Sequence, residues 1–244
     1  MKILVVGGGG REHAIVWKIA QSPKVDKIYC APGNGGIAEL AECVDIAATD
    51  IENMVKFAKD NAIDLVMVAP DDPLVLGMVD AMEKEGIRAF GPRANAAIIE
   101  GSKAFSKELM KKYNIPTANY EVFTDSTSAI DYIKAQNTFP TVIKADGLAL
   151  GKGVIIAQNL EEAEQAVHEM IDDGKFGKSG SRVVIEEFLT GPEVSVLAFT
   201  DGKTVKPMVS AQDHKRAYDN DEGLNTGGMG TFSPSRLYDD AKAE

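Results

Sequence analysis

The chain has 244 residues, of which 44% are hydrophobic and 26% charged, so it can bury a sizeable core in one large or two ordinary domains. Its net charge of −11, with no dense tract of lysine and arginine, argues against a nucleic-acid surface. The apolar runs are too short to span a membrane, and Met1 leads directly into a predicted strand, so we expect a cytoplasmic protein. Cys30 and Cys43 lie at the ends of apolar runs, which favours two buried thiols over a metal site or a disulfide framework.

The first part of the chain alternates short apolar strands with helical segments. The strands are predicted at 3–6, 27–30, 43–46, 64–68 and 88–90, and the helices near 11–21, 51–60, 73–84 and 94–99. Apolar strands that alternate with helices indicate a parallel sheet covered on both faces, and such sheets bind ligands at the carboxyl ends of their strands. The predicted fold class is therefore α/β, with a Rossmann-like parallel-sheet domain over residues 1–101.

The pattern changes after this domain. A helix predicted at 102–113 carries Lys103 in its first turn, and strands and helices then follow at 120–123, 126–136, 141–144, 154–157, 160–173 and 182–188. Asn159, with Glu162 three residues later, forms a capping box that starts the helix at 160. Runs at 194–199 and 204–209 flank Asp201-Gly202 and predict a hairpin. We expect a partial α+β domain over 102–244, in which 120–189 forms a small lid subdomain.

The segment Lys144-Ala-Asp-Gly-Leu-Ala-Leu-Gly-Lys-Gly-Val154 joins two of these predicted strands. Its glycines let the backbone approach a ligand and expose N–H donors, while its lysines balance phosphate charge. It is not a P-loop, because three residues instead of four separate Gly147 from Gly151 and a strand follows in place of a helix. The segment therefore predicts a strand-loop-strand lid over a polyphosphate.

A second glycine-rich segment, Gly7-Gly-Gly-Gly-Arg-Glu-His13, follows the first strand and opens the first helix. Free N–H groups and the helix dipole favour an anion at this place. A dinucleotide fingerprint is not met, because Glu12 or His13 stands where its third glycine belongs. The segment favours a phosphorylated small substrate over NAD or FAD, and a tight turn without a ligand is the remaining alternative.

Two further loops lie on the same predicted edge of the sheet. Pro32-Gly-Asn-Gly-Gly36 follows the second strand, and it is predicted to close around the same phosphate. Asp71-Asp-Pro-Leu74 follows the fourth strand and offers carboxylates to sugar hydroxyls or to an amine. Together the three loops predict a site for a phosphorylated small substrate.

The last strand of the predicted lid carries two adjacent acids, Glu186 and Glu187, which point to opposite faces of a regular strand. One interpretation is a solvated strand end. The other is an interdomain hinge, in which backbone groups near Glu187 and Leu189 pair with an adenine edge and Glu193 reaches the ribose hydroxyls.

Two segments further along suit a site that handles an anionic substrate. Gln212-Asp-His-Lys-Arg216 brings four ionisable types together, and Asn225-Thr-Gly-Gly-Met-Gly230 reads as a flexible glycine loop. His214 is not expected to bind a metal, because no second histidine or acid stands at ligand spacing.

Together these motifs resemble the phosphoribosylamine-glycine ligases, a family of ATP-grasp enzymes also called glycinamide ribonucleotide synthetases. The resemblance runs through most of the chain, in the family's order. Its most specific parts are Gly-Gly-Arg-Glu-His (9–13), Ala-Pro-Gly-Asn (31–34), Glu-Gly-Ser-Lys-Ala-Phe (100–105), Lys-Ala-Asp-Gly-Leu-Ala (144–149), Gly-Lys-Gly-Val (151–154), Val-Ile-Glu-Glu-Phe-Leu (184–189), Gln-Asp-His-Lys-Arg (212–216) and Asn-Thr-Gly-Gly-Met-Gly (225–230).

The resemblance implies an ATP-dependent carbon–nitrogen ligation in de novo purine biosynthesis. The glycine carboxylate takes the γ-phosphoryl group, and the amine of 5-phosphoribosylamine attacks the glycyl phosphate to give glycinamide ribonucleotide, ADP and phosphate. The implied catalytic residues are Lys144, Asp213, Lys215 and Arg216. The implied ATP-binding residues are Lys103, Lys144, Gly151, Lys152, Gly153, Glu186, Glu187, Leu189 and Glu193. The implied substrate-binding residues are Gly9, Gly10, Arg11, Glu12, His13, Gly33, Asn34, Asp72, Pro73, Asp213, His214, Lys215, Asn225, Thr226, Gly227 and Gly228.

The resemblance also implies cofactors and partners. The cofactors are ATP and Mg²⁺ or Mn²⁺, and the family's metal ligands lie beyond position 244, so we expect an amino-terminal portion that is inactive alone. The expected partners are the small molecules phosphoribosylamine, glycine and ATP, without nucleic acid or membrane, and the intact protein is expected to be a monomer. Two alternatives stay open: another ATP-grasp carboxylate ligase, such as a carboxylase that phosphorylates bicarbonate, and a non-catalytic nucleotide- or phosphosugar-binding fragment.

Overall fold

The structure is a computed structural model that describes residues 1–147, 153–239 and 241. Gly151 and Lys152 of the predicted lid loop lie outside the described residues. The chain divides into two units, Met1–Glu187 and Phe188–Glu244. Within the part of the chain that is described, no helix is long and apolar enough to cross a membrane.

A five-stranded parallel sheet lies in the first unit and has the strand order β3-β2-β1-β4-β5. Its strands are β1 (Lys2–Gly7), β2 (Lys27–Pro32), β3 (Glu42–Cys43), β4 (Leu65–Val68) and β5 (Ala89–Phe90). The predicted α/β sheet is thus confirmed, although β3 is shorter than predicted because only two of its residues pair with β2.

Apolar side chains cover both faces of this sheet, since successive residues of a strand point to opposite sides. Val5 of β1 packs with Val16 of α1 (Gly10–Ala20), and Val6 packs on the other face with Met54 of α2 (Ile51–Asp60). These two packed faces fix the ends of β1, β2 and β4, from which the candidate site loops extend.

The segment predicted as one helix at 73–84 forms two helices, α3 (Asp71–Val75) and α4 (Met78–Lys84). Gly77 separates them with a φ of +89°, a left-handed conformation that glycine adopts without steric cost. The helix α5 (Ala94–Gly101) follows β5.

The two cysteines differ in environment. Cys30 is buried, and burial raises the pKa of its thiol to about 12. Cys43 is exposed. The expectation of a buried thiol is therefore confirmed for Cys30 and wrong for Cys43, because Cys43 ends the short β3, whose two residues are both exposed.

An antiparallel four-stranded sheet in the order β6-β9-β7-β8 follows the helix α6 (Lys103–Lys112). Its elements confirm the predicted chain order: β6 (Tyr120–Phe123), α7 (Ser126–Gln136), β7 (Thr141–Ala145), β8 (Val154–Ala157), α8 (Leu160–Ile171) and β9 (Val183–Glu187). Asn159 caps α8 as predicted, since its side-chain oxygen accepts from the backbone N–H of Glu162 at 3.0 Å.

The two faces of this second sheet differ in chemistry. In the register of β7 with β9, Ile143 pairs with Ile185, and both pack in the core beneath α7 and α8. Lys144 and Glu186 occupy neighbouring positions of these strands, so their side chains lie on the opposite face. The helices thus cover an apolar face and leave a face with charged groups.

The second unit consists mainly of strands. These are β10 (Ala198–Thr200), β11 (Val205–Pro207), β12 (Gln212–Tyr218) and β13 (Glu222–Phe232). The hairpin around Asp201-Gly202 is confirmed, with strands shorter than predicted.

The interpretation of 225–230 as a flexible loop is wrong. This segment lies inside β13, where His214 of β12 pairs with Gly230 and Arg216 pairs with Asn225. Register shifts interrupt the ladder, and Gly228 has a φ of +115°, so the glycines serve an irregular, bulged strand.

Candidate active site

The loops after β1 and β2 form hydrogen bonds with each other. The N–H of Gly33 donates to the carbonyl of Gly7 at 3.0 Å, and Asn34 Nδ2 donates to the carbonyl of Gly8 at 2.9 Å. A Cβ atom at Gly8 would lie 2.6 Å from the Gly33 oxygen, so only glycine permits this approach. The two loops therefore form one backbone surface at the carboxyl edge of the sheet.

The first turn of α1 shapes this surface. Gly9 is the N-cap, and its N–H donates to Glu12 Oε2 at 2.6 Å. Glu12 is 4% exposed and also accepts from Arg11 Nε at 3.0 Å, so its carboxylate holds both the loop and the arginine. His13 lies against Gly36, where an added Cβ would be 2.6 Å from the imidazole Cε1. Gly10 begins the helix with open space around its Cα.

A cavity of about 520 Å³ lies in the first unit. Small-molecule sites usually enclose roughly 300–1,000 Å³. Its wall combines residues that follow β1 and β4 with residues of α5, α6, β7 and the start of β8: Arg11, Pro70, Asp71, Asp72, Ile99, Glu100, Lys103, Ser106, Lys107, Met110, Lys144, Gly153 and Val154. The sequence-predicted residues Arg11, Asp72, Lys103, Lys144 and Gly153 are thus brought together in one wall.

One face of α6 supplies several of these groups. Lys103, Ser106, Lys107 and Met110 line the cavity at spacings of three and four, which is one side of an α-helix. Lys107 is absent from the predicted set. Its position four residues after Lys103 is the sequence signal that identifies it.

A buried carboxylate links the lysines of the cavity. Glu186 is 5% exposed and forms ion pairs with Lys107 and with Lys144. Glu187 points to the other face, as predicted, and accepts from the backbone N–H and the side-chain amide of Asn119 at 3.1 and 3.0 Å. The two adjacent acids therefore have different environments, and only Glu186 contacts cavity lysines.

Burial lowers the pKa of the Lys103 ammonium. The carboxylate of Asp146 opposes this effect, Lys144 adds to it, and Glu100 and Glu186 oppose it. Lys103 Nζ donates to the carbonyl of Gly147 at 2.9 Å. A polyanion in the cavity would favour the charged form of this lysine.

The acids after β4 meet the arginine of α1. Arg11 Nη1 lies 3.9 Å from Asp71 Oδ1, and Asp72 lines the cavity beside them. Pro73 is buried in the first turn of α3, outside the cavity wall.

The second unit has its own cluster around Lys215. Lys215 Nζ lies 3.0 Å from Glu193 and 3.8 Å from Asp213, and the hydrogen bond to Glu193 raises the pKa of the Lys215 ammonium. Thr226 Oγ1 donates to the Lys215 carbonyl at 2.7 Å and accepts from the N–H of Gly228 at 3.1 Å. Five predicted residues are therefore grouped on β12, β13 and the segment before them.

The remaining predicted residues of this unit are not among the five that form the cluster around Lys215. Arg216 Nη1 donates to the carbonyl of Gly223 at 2.6 Å. Leu189 and His214 are exposed, and Asn225 and Gly227 belong to β13.

Comparison with known proteins identifies the class and then the family. Residues 101–244 match the model described as "Phosphoribosylglycinamide synthetase, ATP-grasp (A) domain", so α6 and the antiparallel four-stranded sheet belong to an ATP-grasp domain. Residues 1–100 match "Phosphoribosylglycinamide synthetase, N domain". The chain belongs to the phosphoribosylglycinamide synthetase family.

Individual relatives agree with this family. The chain is 54% identical over 242 residues to a phosphoribosylamine--glycine ligase of Halalkalibacterium halodurans. The alignment covers 99% of this chain and 56% of that protein. The crystal structure of phosphoribosylamine--glycine ligase from Thermotoga maritima is similar with a TM-score of 0.81 and 32% identity, covering 96% of this chain and 56% of that one. The chain thus spans just over half the length of these relatives.

A more distant neighbour shares the fold alone. The biotin carboxylase domain of the Hydrogenobacter thermophilus 2-oxoglutarate carboxylase, solved with MgADP and bicarbonate, is similar with a TM-score of 0.73 and 17% identity. It covers 88% of this chain and 50% of that chain.

Proposed function

We propose that the chain carries the phosphosugar loops and the nucleotide lid of an ATP-dependent ligase that joins glycine to 5-phosphoribosylamine. The reaction proceeds through a glycyl phosphate and gives glycinamide ribonucleotide, ADP and phosphate, in de novo purine biosynthesis. Family membership and the names of relatives that are 54% identical support this function. We also propose a cytoplasmic, monomeric intact protein whose partners are these small molecules.

The observation that carries the proposal is the shared cavity of the first unit. Arg11, beside the glycine loops, lies in the same wall as Lys103 and Lys144. Phosphoryl transfer depends on positioning and on neutralised charge more than on covalent help from the protein. A wall that joins a phosphate-holding loop to a set of lysines suits a reaction between a phosphosugar and a polyphosphate.

In this proposal the lid residues bind ATP. Lys103 and Lys144 neutralise the polyphosphate, and the backbone at Gly153 approaches it. The backbone from Glu187 to Leu189 pairs with the adenine edge, and Glu193 reaches the ribose. A lid over the phosphates also keeps water from the glycyl phosphate, which would otherwise hydrolyse.

The loops after β1 and β2 hold the ribose 5-phosphate in the same proposal. The N-terminus of α1 provides N–H groups and a positive dipole end, and Arg11 adds a full charge. Asp72 offers its carboxylate to the sugar hydroxyls or the amine. The group around Asp213 and Lys215 borders the glycine and the reacting amine.

The metal ion of the proposed reaction is not assigned to these residues. Among residues 1–147, 153–239 and 241, no group of three or more His, Cys, Asp or Glu side chains is placed to hold a metal ion. In this proposal Mg²⁺ or Mn²⁺ accompanies ATP in the whole protein.

Calorimetric titration with ATP tests the nucleotide site. Lys144→Ala should weaken binding by about ten-fold or more, since hydrogen bonds to charged groups contribute about 1.5–3 kcal/mol. Lys134→Ala is the matched control, because Lys134 lies on α7 and pairs with Glu164 away from the cavity. Equal ATP affinity of the wild type and Lys144→Ala would contradict the assignment.

Substrate choice needs a protein of the relatives' full length. ADP release should require glycine together with 5-phosphoribosylamine, and bicarbonate with biotin should not replace them. Release that follows bicarbonate and biotin instead would favour the carboxylase alternative.

A further inference from the structure

A buried carboxylate outside the cavity wall connects the lid to α6. Asp146 follows β7 directly and is 8% exposed. Its carboxylate accepts from Ser102 Oγ at 3.0 Å, from the N–H of Ala104 at 2.7 Å and from Arg182 Nε at 2.9 Å. Ser102 is the N-cap of α6, Ala104 lies in its first turn, and Arg182 directly precedes β9. The side chain of Asp146 therefore joins the start of α6 to the start of β9.

The backbone of Asp146 makes the same connection. The N–H of Lys103 donates to the Asp146 carbonyl at 3.0 Å, and the N–H of Asp146 donates to the Arg182 carbonyl at 3.0 Å. Asp146 directly follows β7, two residues after Lys144. The residue therefore contacts the Lys103 backbone and adjoins the strand that carries Lys144.

The charge of Asp146 is compensated without using a cavity lysine. Arg182 holds it with Nε and with Nη2, the latter at 2.5 Å, and Nη2 also donates to Ser102 Oγ at 3.2 Å. Both guanidinium nitrogens donate to the same oxygen, Asp146 Oδ2, and these charge-assisted bonds balance the charge of the carboxylate. The N–H of Ala104, at the N-terminus of α6, favours the negative charge further. The hydrogen bonds described for the Asp146 carboxylate therefore involve neither the Lys103 nor the Lys144 side chain.

A second contact fixes α6 one turn further on. Lys107 reaches Glu186 of β9, and it also donates to Thr117 Oγ1 at 2.8 Å. Two contacts therefore hold α6 along its length: Asp146 binds the backbone at Lys103, and Glu186 pairs with Lys107 one turn later.

We propose that Asp146, held by Arg182, is a positioning residue that sets the separation of Lys103 and Lys144 in the nucleotide site. The nucleotide as ligand rests on the proposed function; the coupling between α6 and the lid sheet does not. Because displacement of a binding group by about 1 Å can cost about 100-fold in rate, a residue that fixes two lysines affects ATP without touching it.

The first test reads Lys103 itself. The charged groups that act on Lys103 are Asp146, Lys144, Glu100 and Glu186, and Asp146 raises its pKa. Asp146→Asn should therefore lower the pKa of Lys103 further, and NMR titration of methylated lysines in the 244-residue chain measures this shift. Hydrogen exchange at the Ala104 amide should also be faster.

Glu164→Gln is the matched control. Glu164 pairs with Lys134 at 2.8 Å between α8 and α7, on the helix side of the sheet. This variant should leave the Lys103 titration unchanged. If Asp146→Asn does not fold, Ser102→Ala tests the positioning through amide exchange and ATP affinity, because it removes the hydroxyl that donates to Asp146 and caps α6 while it leaves the carboxylate in place.

The second test is ATP affinity by calorimetry. Asp146→Asn should weaken ATP binding by roughly ten- to hundred-fold while Glu164→Gln binds like the wild type. An unchanged Lys103 titration, or ATP affinity equal to that of the wild type in the folded variant, would overturn the inference. A wild type that does not bind ATP would instead refute the proposed function, and hydrogen exchange at the Ala104 amide would still decide whether Asp146 holds α6.

Discussion

Replacement of Glu186 by alanine tests how the charged face of the lid sheet is stabilised. Glu186 is 5% exposed and pairs with Lys107 and Lys144. Glu186→Ala removes the only acid that the structure pairs with Lys107 among the described residues. The ammonium of Lys107 then keeps neutral acceptors alone, Thr117 Oγ1 at 2.8 Å and the Ala118 carbonyl at 3.3 Å.

The size of the effect follows from burial. Breaking a buried ion pair by removing one partner costs about 3–5 kcal/mol, because the other charge stays buried without compensation. The side chain of Lys107 is 11% exposed, so this range applies to it. The side chain of Lys144 is 29% exposed, and solvent screening makes its loss smaller. We therefore expect Glu186→Ala to lower the free energy of unfolding by about 3–5 kcal/mol.

Urea unfolding followed by circular dichroism measures this change. Glu164→Ala is the control, because its pair with Lys134 is partly exposed and should contribute less than about 1 kcal/mol. Glu186→Ala combined with Lys107→Met should recover most of the loss, since an apolar pair replaces a buried charge. A loss for Glu186→Ala no larger than that for Glu164→Ala would refute the reasoning.

Two further predictions concern the phosphate loop and the second unit. Gly33→Ala should destabilise the chain by about 1–3 kcal/mol, because Gly33 has a φ of +73° and its added Cβ would lie 2.4 Å from Cys43 Sγ. Thermal unfolding measures the change, with Gly35→Ala as a control whose added Cβ meets no neighbour. Equal unfolding midpoints for the two variants would contradict the prediction. Glu193→Gln should lower the pKa of Lys215 toward its ordinary value, because the hydrogen bond to Glu193 raises it; an unchanged NMR titration of Lys215 would show that the pair does not form in solution.

Local signals in the sequence predict much of the fold. The cap of α8 by Asn159 and the apolar runs of β1, β7 and β9 depend on neighbouring residues, and the structure confirms them. The break at Gly77 is different. A glycine inside a helical pattern is compatible with a continuous helix, and only tertiary packing selects the left-handed conformation observed.

The remaining parts of the fold depend on pairing between segments that are distant in the chain, and local sequence signals do not predict this pairing. The glycine-rich run in β13 has low strand propensity, and its partner strand β12 reads as a charged cluster, so neither predicts the ladder that joins them. The same limit applies to the site. Lys144 can be recognised in the sequence because it begins a glycine loop. The roles of Lys107 and Asp146 depend on contacts with residues far away in the chain: Lys107 pairs with Glu186, and Asp146 pairs with Arg182.

The charge distribution explains how an acidic chain gathers cations in one cavity. The net charge is −11, yet Arg11, Lys103, Lys107 and Lys144 all reach one wall, beside the acids Asp71, Asp72 and Glu100. Like charges at such distances repel one another, and burial already lowers the pKa of Lys103. Glu186, from the sheet, offsets part of this repulsion, and Asp146 fixes the helix while its own charge is compensated by Arg182. The lysines are therefore held in place without a ligand, so a polyphosphate, the ligand we propose for this cavity, would spend little of its binding energy on ordering the site.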